Sequence, residues 1–253
     1  MENNRCIVSV IVPVYNAAEF IEETIRTVQA QSLGEWELLL VDDCSNDNSC
    51  DIIERYMALD SRIQLIRQEK NGGAAAARNT GVLKAMGRYI CFLDADDLWE
   101  SDKLSSELAF MEEREAGFAF TGYEFADEQG IGLGKTVHVP QTISYRQALK
   151  NTTIFTSTVM IDTDKIDRED IYMPQIESED TATWWHILKK YGAGYGLDRA
   201  LVKYRRSAGT LSSNKLVAIR RIWNLYRRQE GLSIIKSLYC MCFWALRAVL
   251  RRI

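Results

Sequence analysis

Apolar residues follow two alternating patterns over the first hundred positions of the chain. One is a run of mainly apolar residues, such as the β-branched run at residues 7–12, which is typical of a strand covered on both faces of a parallel sheet. Such runs lie at residues 7–12, 36–41, 63–66 and 89–93. Between them, apolar residues recur every three or four positions, as Ile21, Ile25 and Val28 do, and this spacing predicts a buried helix face. Alternating strands and helices predict an α/β fold with right-handed crossovers.

Local signals set the expected ends of these elements. Pro13 is predicted to end the first strand, and Asn16 to cap the first helix with Glu19 as its capping-box partner. After Asp97 the pattern predicts a mixed continuation of the sheet. Its expected helices lie at residues 103–114 and 181–191, and its expected strands at 118–125, 136–139, 156–161 and 200–205.

Composition fits one large globular domain, or a domain with an appendage. The 253 residues are 47% hydrophobic and 26% charged, so the chain can bury a sizeable core. The six cysteines show no paired spacing of metal ligands, which predicts reduced thiols in a cytosolic protein. The start of the chain leads into a strand without the basic and apolar stretches of a signal peptide. His138 and His186 are expected to have structural roles.

The net charge of −4 is unevenly distributed along the chain. From Lys215 onward nine Lys and Arg residues face one acid, Glu230, whereas the preceding residues contain 22 basic and 34 acidic side chains. This boundary predicts a body at residues 1–214 and a basic helical tail at residues 215–253. The acidic body disfavours nucleic-acid binding.

The tail is predicted to form amphipathic helices with a break at Gly231. Its uncharged run at residues 237–246 is too short to span a bilayer, which needs about 20 residues. The basic and aromatic residues around that run suit an interfacial helix on an anionic membrane. Packing on the body or on a homodimer partner is the alternative.

Three carboxylates, those of Asp94, Asp96 and Asp97, follow the fourth predicted strand, and Asp42 and Asp43 follow the second. Ligands bind at the carboxyl ends of strands in such sheets, so all five acids are expected at one edge. Oxygen ligands of this kind favour Mg²⁺ or Mn²⁺, and such an ion can stabilise a diphosphate leaving group. A solvated acidic loop is the alternative.

Several motifs resemble those of family 2 of the inverting glycosyltransferases, which have the GT-A fold. They are SVIVPVYN at residues 9–16, LLLVDDCSNDNS at 38–49, GGAAAARNTG at 72–81, FLDADD at 92–97, Glu179-Asp180 followed by Trp184-Trp185, and YRRSAGTLS at 204–212. The first four occur in the family's order and spacing. The resemblance covers about residues 9–213 and implies a GT-A fold with a Rossmann-like nucleotide-binding half and a mixed sheet, to which the tail adds amphipathic helices.

The resemblance implies a nucleotide-sugar site at the acidic edge of the sheet. Pro13, Tyr15 and Asn16 would line the nucleotide pocket, with the Tyr15 ring against uracil. Asp43 would accept a hydrogen bond from the uracil ring, and Arg78 would lie near the nucleotide as a fixed cation. The alternatives are a turn and a cap for Tyr15 and Asn16, and a surface position for Arg78.

The resemblance also implies roles for the acidic triplet. Asp94 would lie by the ribose, and Asp96 would hold a Mn²⁺ or Mg²⁺ ion on the diphosphate, with help from Asp97. Many relatives have a histidine ligand in the segment aligned with residues 204–207, but this chain has no histidine after His186. Arg206 is therefore expected to contact the diphosphate instead.

Glu179 and Asp180 are the candidate catalytic pair. Inverting transfer is a single displacement that needs a carboxylate to take the acceptor proton. In the family the second acid of this pair is the base, which implies Asp180, while Glu179 would orient the acceptor or the loop. The pair also fits a plain helix start, since Ser178 is an N-cap residue type and acids there favour the helix dipole.

Together these expectations describe a metal-dependent inverting glycosyltransferase at the cytoplasmic face of a bacterial plasma membrane. It would transfer a sugar from a UDP-sugar to a lipid-linked saccharide in surface polysaccharide assembly. A polyprenyl-phosphate glycosyltransferase and a non-catalytic nucleotide-sugar-binding module are the alternatives. A sugar nucleotidyltransferase is disfavoured because its glycine-rich N-terminal phosphate loop is missing.

Overall fold

Strands and helices alternate over the first ninety residues of the computed structural model, which describes residues 6–151, 153–206 and 215–250. The strands are β1 (Val8–Val14), β2 (Trp36–Asp42), β3 (Ile63–Arg67) and β4 (Tyr89–Phe92), and the helices between them are α1 (Ile21–Gln29), α2 (Ser49–Met57) and α3 (Gly73–Lys84). β1 pairs with both β2 and β4, and β2 pairs with β3, all in parallel register. The predicted α/β alternation is confirmed.

The second half extends the same sheet with antiparallel pairs and shorter elements. Its strands are β5 (Leu98–Trp99), β6 (Phe118–Ala126), β7 (Gly132–Val137), β8 (Thr142–Ile143), β9 (Val159–Asp162) and β10 (Gly194–Arg205). Its helices before the tail are α4 (Lys103–Glu113), α5 (Tyr145–Ala148), α6 (Arg168–Ile171) and α7 (Glu179–Tyr191). The strand order is β3-β2-β1-β4-β9-β6-β10-β5, with β7 beside β6 and β8 beside β10, so the predicted mixed sheet is confirmed.

The prediction that Pro13 ends the first strand is wrong, because β1 continues to Val14. The Ile11 carbonyl accepts a hydrogen bond from the Leu93 amide at 3.0 Å, on the β4 side of the strand. Backbone groups alternate along a strand, so the nitrogen of Pro13 faces this same side, beyond the last residue of β4. Proline fits there because the ladder has no further need of an amide donor.

The prediction that Asn16 caps the first helix is also wrong. α1 begins at Ile21, after Phe20, and no side chain caps it. The side chain of Asn16 instead accepts a hydrogen bond from the Asn46 amide at 2.8 Å, in the loop after β2. The Asn16 side chain thus bonds to the loop after β2 and does not cap α1.

Buried side chains cover both faces of the sheet because successive residues of a strand point to opposite sides. On β1, Ile11 belongs to one hydrophobic cluster, and Val10 and Val12 belong to the other. The first cluster contains the buried face of α7, where Trp184 lies 5.9 Å from the ring of Phe92 on β4. This contact packs α7, which carries the catalytic candidates Glu179 and Asp180, against β4, the strand that precedes the acidic triplet.

The tail begins with α8 (Lys215–Asn224), continues through a π-helical turn (Leu225–Gln229) and ends with α9 (Ile234–Leu250). The predicted break at Gly231 is confirmed by its positive φ of 60°. Ile222 and Tyr226 are buried, and the Tyr226 ring stacks on Trp185 of α7 with centroids 5.4 Å apart. Among the described residues, no helix combines the length and apolar character needed to cross a bilayer.

Candidate functional site

The loops after β1 and β2 are joined at the carboxyl edge of the sheet. The amide of Asn16 donates to the Ser45 hydroxyl at 3.0 Å, and the amide of Asn46 donates back to the Asn16 side chain. Asn16 adopts a left-handed conformation with φ of 49°, which turns the loop sharply. Tyr15, just before it, is 52% exposed, and Pro13 is half-buried. The Tyr15 ring is thus available to a ligand on a loop that is itself held in place.

Asp43 is buried behind this loop and anchors the start of α3. Its carboxylate accepts hydrogen bonds from the amides of Gly72 and Gly73 and from the Gln68 side chain, each at 2.7 Å. A carboxylate can accept about four hydrogen bonds, so one position remains for a ligand donor. Asp42 supports the same loop, because its side chain accepts from the Ser45 amide at 3.2 Å.

Arg78 of α3 connects the acidic triplet to the start of α7. One terminal nitrogen of its guanidinium lies 2.7 Å from Oδ1 of Asp94, and the other lies 2.9 Å from Oε1 of Glu179. Burial opposes the Arg78 charge, but Asp94 and then Glu179 outweigh it and raise the pKa of the guanidinium above its ordinary value. Arg78 is therefore a buried bridge between two acidic loops that lie far apart in sequence.

Asp97 is enclosed by the fold, unlike the other two acids of the triplet. Its carboxylate accepts hydrogen bonds from the Ser157 hydroxyl and, at 3.2 Å, from the amide of Arg205. The Ser157 hydroxyl also accepts a hydrogen bond from the Asp94 amide at 3.1 Å. Burial, followed by the charges of Asp94 and Asp96, raises the pKa of Asp97 well above its usual range. Asp97 therefore holds the loop in shape.

Among the residues that the structure describes, none forms an ion pair with the Asp96 carboxylate. Burial and then the neighbouring Asp94 carboxylate raise the pKa of Asp96 to about 6, and the nearby charge of Arg205 lowers it only in part. A half-buried carboxylate that is repelled by a neighbouring carboxylate is stabilised by an added cation. Its oxygens are the hard ligands that Mg²⁺ and Mn²⁺ prefer, so the residue fits a divalent ion.

The protein offers only part of a coordination shell at this edge. Among the described residues, no group of three or more His, Cys, Asp and Glu side chains is placed to hold a metal ion. Mg²⁺ commonly binds through one or two carboxylates and completes its shell with waters and substrate phosphates. The donor set around Asp96 matches that type of site rather than an all-protein cage.

Asp180 occupies the first turn of α7 beside Glu179. Its side chain accepts hydrogen bonds from the Thr156 hydroxyl at 2.8 Å and from the Thr181 amide at 2.6 Å. Burial, followed by the charge of Asp180, raises the pKa of Glu179. Ser178 precedes the helix with φ of 60°, and its side chain makes no capping hydrogen bond. The acids thus lie at the start of a helix, where Thr181 of the helix itself and Thr156 from outside it orient the Asp180 carboxylate.

Arg205 and Arg206 are consecutive residues at the end of β10. Their side chains therefore point in different directions and have different surroundings. Arg205 is buried and donates to the backbone carbonyl of Asp96 at 2.8 Å and to the carboxylate of Glu23 at 2.6 Å. The predicted diphosphate contact, Arg206, is exposed, and its guanidinium lies over the ring of Phe125 at 5.2 Å. The rest of the predicted motif, residues 207–212, lies outside the described residues.

Four side chains that orient the acids were not predicted from the sequence. Gln68, Thr156, Ser157 and Arg205 bond to Asp43, Asp180, Asp97 and the Asp96 backbone. The run Thr156–Thr158 of three hydroxyl residues before an apolar strand was a visible signal, but it was read as part of that strand. Its partners lie far away in the chain, so no spacing pointed to them.

The arrangement places carboxylates on two sides of the buried Arg78 cation. On one side, Asp94 and Asp96 form an acidic edge that suits a cation. On the other side, Glu179 and Asp180 present carboxylates that can accept a proton. The two chemical functions are held together by the same guanidinium.

Comparisons with known proteins agree with this organisation. The family model described as "Glycosyl transferase family 2" matches residues 9–171. The chain is 43% identical to TuaG of Bacillus subtilis (strain 168) over 254 residues and the whole length of both; that protein's name assigns it to teichuronic acid biosynthesis as a glycosyltransferase. It is 37% identical over 223 residues to WfgD of Escherichia coli, named UDP-Glc:alpha-D-GlcNAc-diphosphoundecaprenol beta-1,3-glucosyltransferase, covering 87% of this chain and 85% of the relative.

Solved structures share the fold at lower sequence identity. S. aureus TarS 1–349 in complex with UDP-GlcNAc matches with a TM-score of 0.69 and 23% identity, covering 95% of this chain and 72% of TarS. The mannosyltransferase PcManGT from Pyrobaculum calidifontis, in complex with GDP-Man and Mn²⁺, matches with a TM-score of 0.66 and 17% identity, covering 96% and 74%. The mixed sheet is therefore that of the GT-A glycosyltransferases.

Proposed function

This chain belongs to glycosyl transferase family 2, and on that premise we propose that it transfers a sugar from a UDP-sugar to a hydroxyl of a lipid-linked saccharide, with inversion. The observation that carries the proposal is the Arg78 bridge, because it sets Asp94 and Glu179 at one centre. The relative WfgD is named for a UDP-Glc donor and a diphosphoundecaprenol-linked acceptor, and TarS was solved with UDP-GlcNAc. Both names support the donor class, and WfgD supports the acceptor class.

The nucleotide would bind over the joined loops at the carboxyl edge. The exposed Tyr15 ring offers a face for uracil to stack on, with Pro13 and Asn16 beside it. The free acceptor position of Asp43 suits the N–H of a uracil ring. Asp94 would lie by the ribose, and Arg206 would reach the diphosphate from the end of β10.

Asp96 would hold a Mn²⁺ or Mg²⁺ ion, while Asp97 would keep the loop in shape for it. When bound, the ion would stabilise the negative charge of the departing diphosphate. The Mn²⁺ in the PcManGT complex supports a divalent metal in this fold.

The transfer itself would be a single displacement. The acceptor oxygen attacks the anomeric carbon while Asp180 takes its proton, and the bond from that carbon to the UDP oxygen breaks on the opposite face. The hydrogen bonds from Thr156 and Thr181 hold the Asp180 carboxylate in one orientation for this step. Glu179, fixed by Arg78, would orient the acceptor or the loop.

The proposed setting is the cytoplasmic face of a bacterial plasma membrane, in surface polysaccharide biosynthesis. The names of TuaG and WfgD support this setting. In this proposal residues 1–214 form the glycosyltransferase domain and residues 215–253 form a tail that rests on the anionic membrane surface. The exposed apolar face of α9 and the cations beside it support that role for the tail.

The deciding experiment is a donor screen of the full chain with a lipid-linked GlcNAc diphosphate acceptor. We expect UDP release from one UDP-sugar, dependent on Mn²⁺ or Mg²⁺, and a product linkage of opposite anomeric configuration to the donor. GDP-mannose serves as a donor control. Binding of UDP-sugars without turnover on any saccharide acceptor would contradict the proposal and indicate a binding module.

A further inference from the structure

A second pocket lies between α6, α7 and the tail, next to the catalytic candidate helix. It has a volume of about 350 Å³, which is in the range of small-molecule sites. Tyr172 and Pro174 line it from the linker after α6, Thr183 and His186 from α7, and Gln229 and Glu230 from the tail. No part of the proposed donor site contributes to it.

The pocket opens along the side of α7 that also carries Glu179. Thr183 and His186 follow Glu179 by four and seven positions, so the three residues share one helix face. At 1.5 Å per residue, the α7 residues that line the pocket, from Ala182 to Lys189, lie about 5 to 15 Å along the helix from Glu179. Met173, between two lining residues, is within 3.8 Å of the Arg78 guanidinium. The pocket thus adjoins the site without overlapping it.

The charged side chains that line the pocket favour a neutral ligand over an anionic one. Three carboxylates, of Glu169, Asp170 and Glu230, line the pocket, whereas Lys189 pairs with Glu230 and Lys190 pairs with Asp170, so the carboxylates still outnumber these two lysines and a diphosphate would meet net repulsion. Two of these acids are held in fixed positions. Asp170 lies 2.7 Å from the His186 ring, and Glu230 lies 3.2 Å from the Lys189 ammonium. The oxygens of Asp170 already accept from His186, Lys190 and Tyr191. The carboxylates of Glu169 and Glu230 are therefore the acceptors for a ligand that donates hydrogen bonds, as sugar hydroxyls do.

The pocket also offers apolar surface beside its polar groups. Tyr172 is 37% exposed and Pro174 is half-buried next to it. Gln229 adds an amide that can both donate and accept. An aromatic face next to amide and carboxylate groups matches the alternation of C–H faces and hydroxyls on a sugar ring.

The part of the tail that lines the pocket has an unusual backbone conformation. Residues Leu225–Gln229 form a π-helical turn, in which the Glu230 amide donates to the Leu225 carbonyl at 3.0 Å. Such turns are rare and occur frequently at functional sites. The stacking of Tyr226 on Trp185 and the hydrogen bond from the Tyr145 hydroxyl to Glu230 fix the turn against the body. The fold therefore places Gln229 and Glu230 at the pocket by a distortion that an ordinary helix would lack.

We propose that this pocket is an acceptor subsite that binds a neutral sugar one or more units away from the reacting hydroxyl. The proposal rests on the proposed function, since it names where the rest of the saccharide acceptor lies. It makes the tail part of the acceptor site.

Kinetics with acceptors of two lengths test the subsite. We expect Tyr172→Ala and Gln229→Ala to raise the acceptor KM about fivefold to tenfold with a lipid-linked disaccharide, because a binding contact made equally in ground and transition states is lost. With a lipid-linked monosaccharide, KM should not change, and kcat and UDP affinity should stay the same for both. Ile176→Ala, which removes a side chain of similar exposure (38%), and Gln141→Ala are matched controls outside the pocket. Equal effects on both acceptors would overturn the proposal.

A binding measurement tests the pocket without turnover. The chain has two histidines, so the imidazole NMR signals of His186, in the pocket, and His138, bonded to Asp198 elsewhere, can be followed separately. We expect neutral disaccharides such as N,N′-diacetylchitobiose or lactose to shift the His186 signals only, and the Gln229→Ala variant to lose the shift.

The two possible failures can be distinguished. A His186 shift with inorganic pyrophosphate, or none with any neutral disaccharide of a panel, would overturn the subsite while donor-dependent UDP release left the proposed function intact. A disaccharide shift in a chain without transferase activity would contradict the proposed function and leave a saccharide-binding pocket.

Discussion

The acids after β4 and the acids at the start of α7 meet at Arg78, but the fold satisfies them differently. After β4, hydrogen bonds close around Asp97, and Arg78 neutralises Asp94, while Asp96 remains half-buried beside like charge with a pKa raised to about 6. At the start of α7, Asp180 accepts hydrogen bonds from neutral groups, among them the Thr156 hydroxyl. In the first region the charge of Asp96 is only partly offset, by nearby Arg205, whereas in the second region hydrogen-bond donors orient the Asp180 carboxylate.

The difference shows how similar side chains acquire different chemistry. Carboxylates that repel one another in a buried loop form a place for a positive ion. A carboxylate on a helix start, oriented by a hydroxyl and an amide, is suited to proton transfer because its position is fixed and its charge is tolerated by the helix dipole. Arg78 belongs to both regions and ties their geometries together.

The largest effect is expected in the strand-end region, which consists of Asp94, Asp96 and Asp97 after β4. Asp96→Asn keeps the size of the side chain but removes the charge that would hold the metal, and we expect turnover to fall by about a thousandfold or more, equivalent to several kcal/mol of transition-state stabilisation. UDP release at increasing Mn²⁺ measures the loss, and circular dichroism checks the fold. Asp51→Asn, an exposed position on α2, is the control. Full activity of the Asp96 variant, or of the wild type in excess chelator, would exclude the metal role.

The next largest effect is expected in the helix-start region, which consists of Glu179 and Asp180 at the start of α7. Asp180→Asn should keep near-normal UDP affinity and lose transfer by at least about a hundredfold, the lower range of general-base contributions. The amide oxygen of the variant can still accept from the Thr181 amide, and its NH2 group can donate to the Thr156 hydroxyl, which can turn to accept, so the helix start should stay intact. Calorimetric UDP binding and single-turnover transfer are the two measurements. A parallel fall in donor binding and turnover would assign Asp180 a structural role instead.

The strand-end acids could be predicted from the sequence better than their partners could. Asp94, Asp96 and Asp97 follow an apolar run directly, so local order alone places them at the carboxyl edge of the sheet. Ser157 reaches Asp97 across 60 residues and the Arg205 amide reaches it across 108. Serine and arginine are common at many surfaces, so only the folded sheet reveals these contacts.

The fold shows the same division between its two halves. β1 to β4 were predicted because buried parallel strands leave continuous apolar runs. The start of β10 was missed because Gly194 and Gly196 interrupt the apolar pattern. A side chain at Gly196 would lie 2.1 Å from the carbonyl oxygen of Pro140, so the close approach of another segment requires glycine there. The residue type at position 196 is therefore determined by a tertiary contact and not by strand propensity.

A third variant tests whether Arg78 couples the two regions. Arg78→Lys keeps the charge but loses the fork that reaches Asp94 and Glu179 together, so we expect kcat to fall about tenfold to a hundredfold, and the melting temperature to fall as well. Arg88→Lys is the matched control, because Arg88 also contacts two carboxylates, Asp162 and Asp164, at a remote and more exposed position. A kcat like that of the control would show that the two regions act independently.

The pH dependence sharpens the comparison with a smaller effect. The pKa of Asp96 is raised to about 6, so Asp96 takes up a proton as the pH falls through 6 and competes with the metal. We expect the Mn²⁺ concentration for half-maximal activity to rise about tenfold per pH unit below 6 and to be constant well above it. The Asp180→Asn variant should keep this dependence in its residual activity. A metal requirement that is flat between pH 5 and pH 7 would contradict the assignment.

The smallest effect concerns the tail, whose Tyr226 packs on α7, the helix that begins with Glu179 and Asp180. Ile235, Leu238 and Leu246 lie on the outward face of α9, with Lys236 and Arg247 beside them. We expect the full chain to bind anionic vesicles and to be released by salt, because screening weakens the attraction of the cations. The double variant Ile235→Ser with Leu246→Ser should bind these vesicles about tenfold more weakly, since less apolar surface enters the interface.

The same double variant should change activity only a few-fold, and only through the acceptor. Tyr226 stacks on Trp185 of α7, so a tail displaced from the membrane affects the helix that carries Glu179 and Asp180. We therefore expect a higher KM for a lipid-linked acceptor, an unchanged KM for a short soluble analogue and unchanged UDP affinity. Leu59→Ser, which alters an equally exposed side chain on the body, should match the wild type in every assay. Equal losses on both acceptors, without vesicle binding by the full chain, would show that the outward face of α9 packs on protein, in a homodimer or another complex.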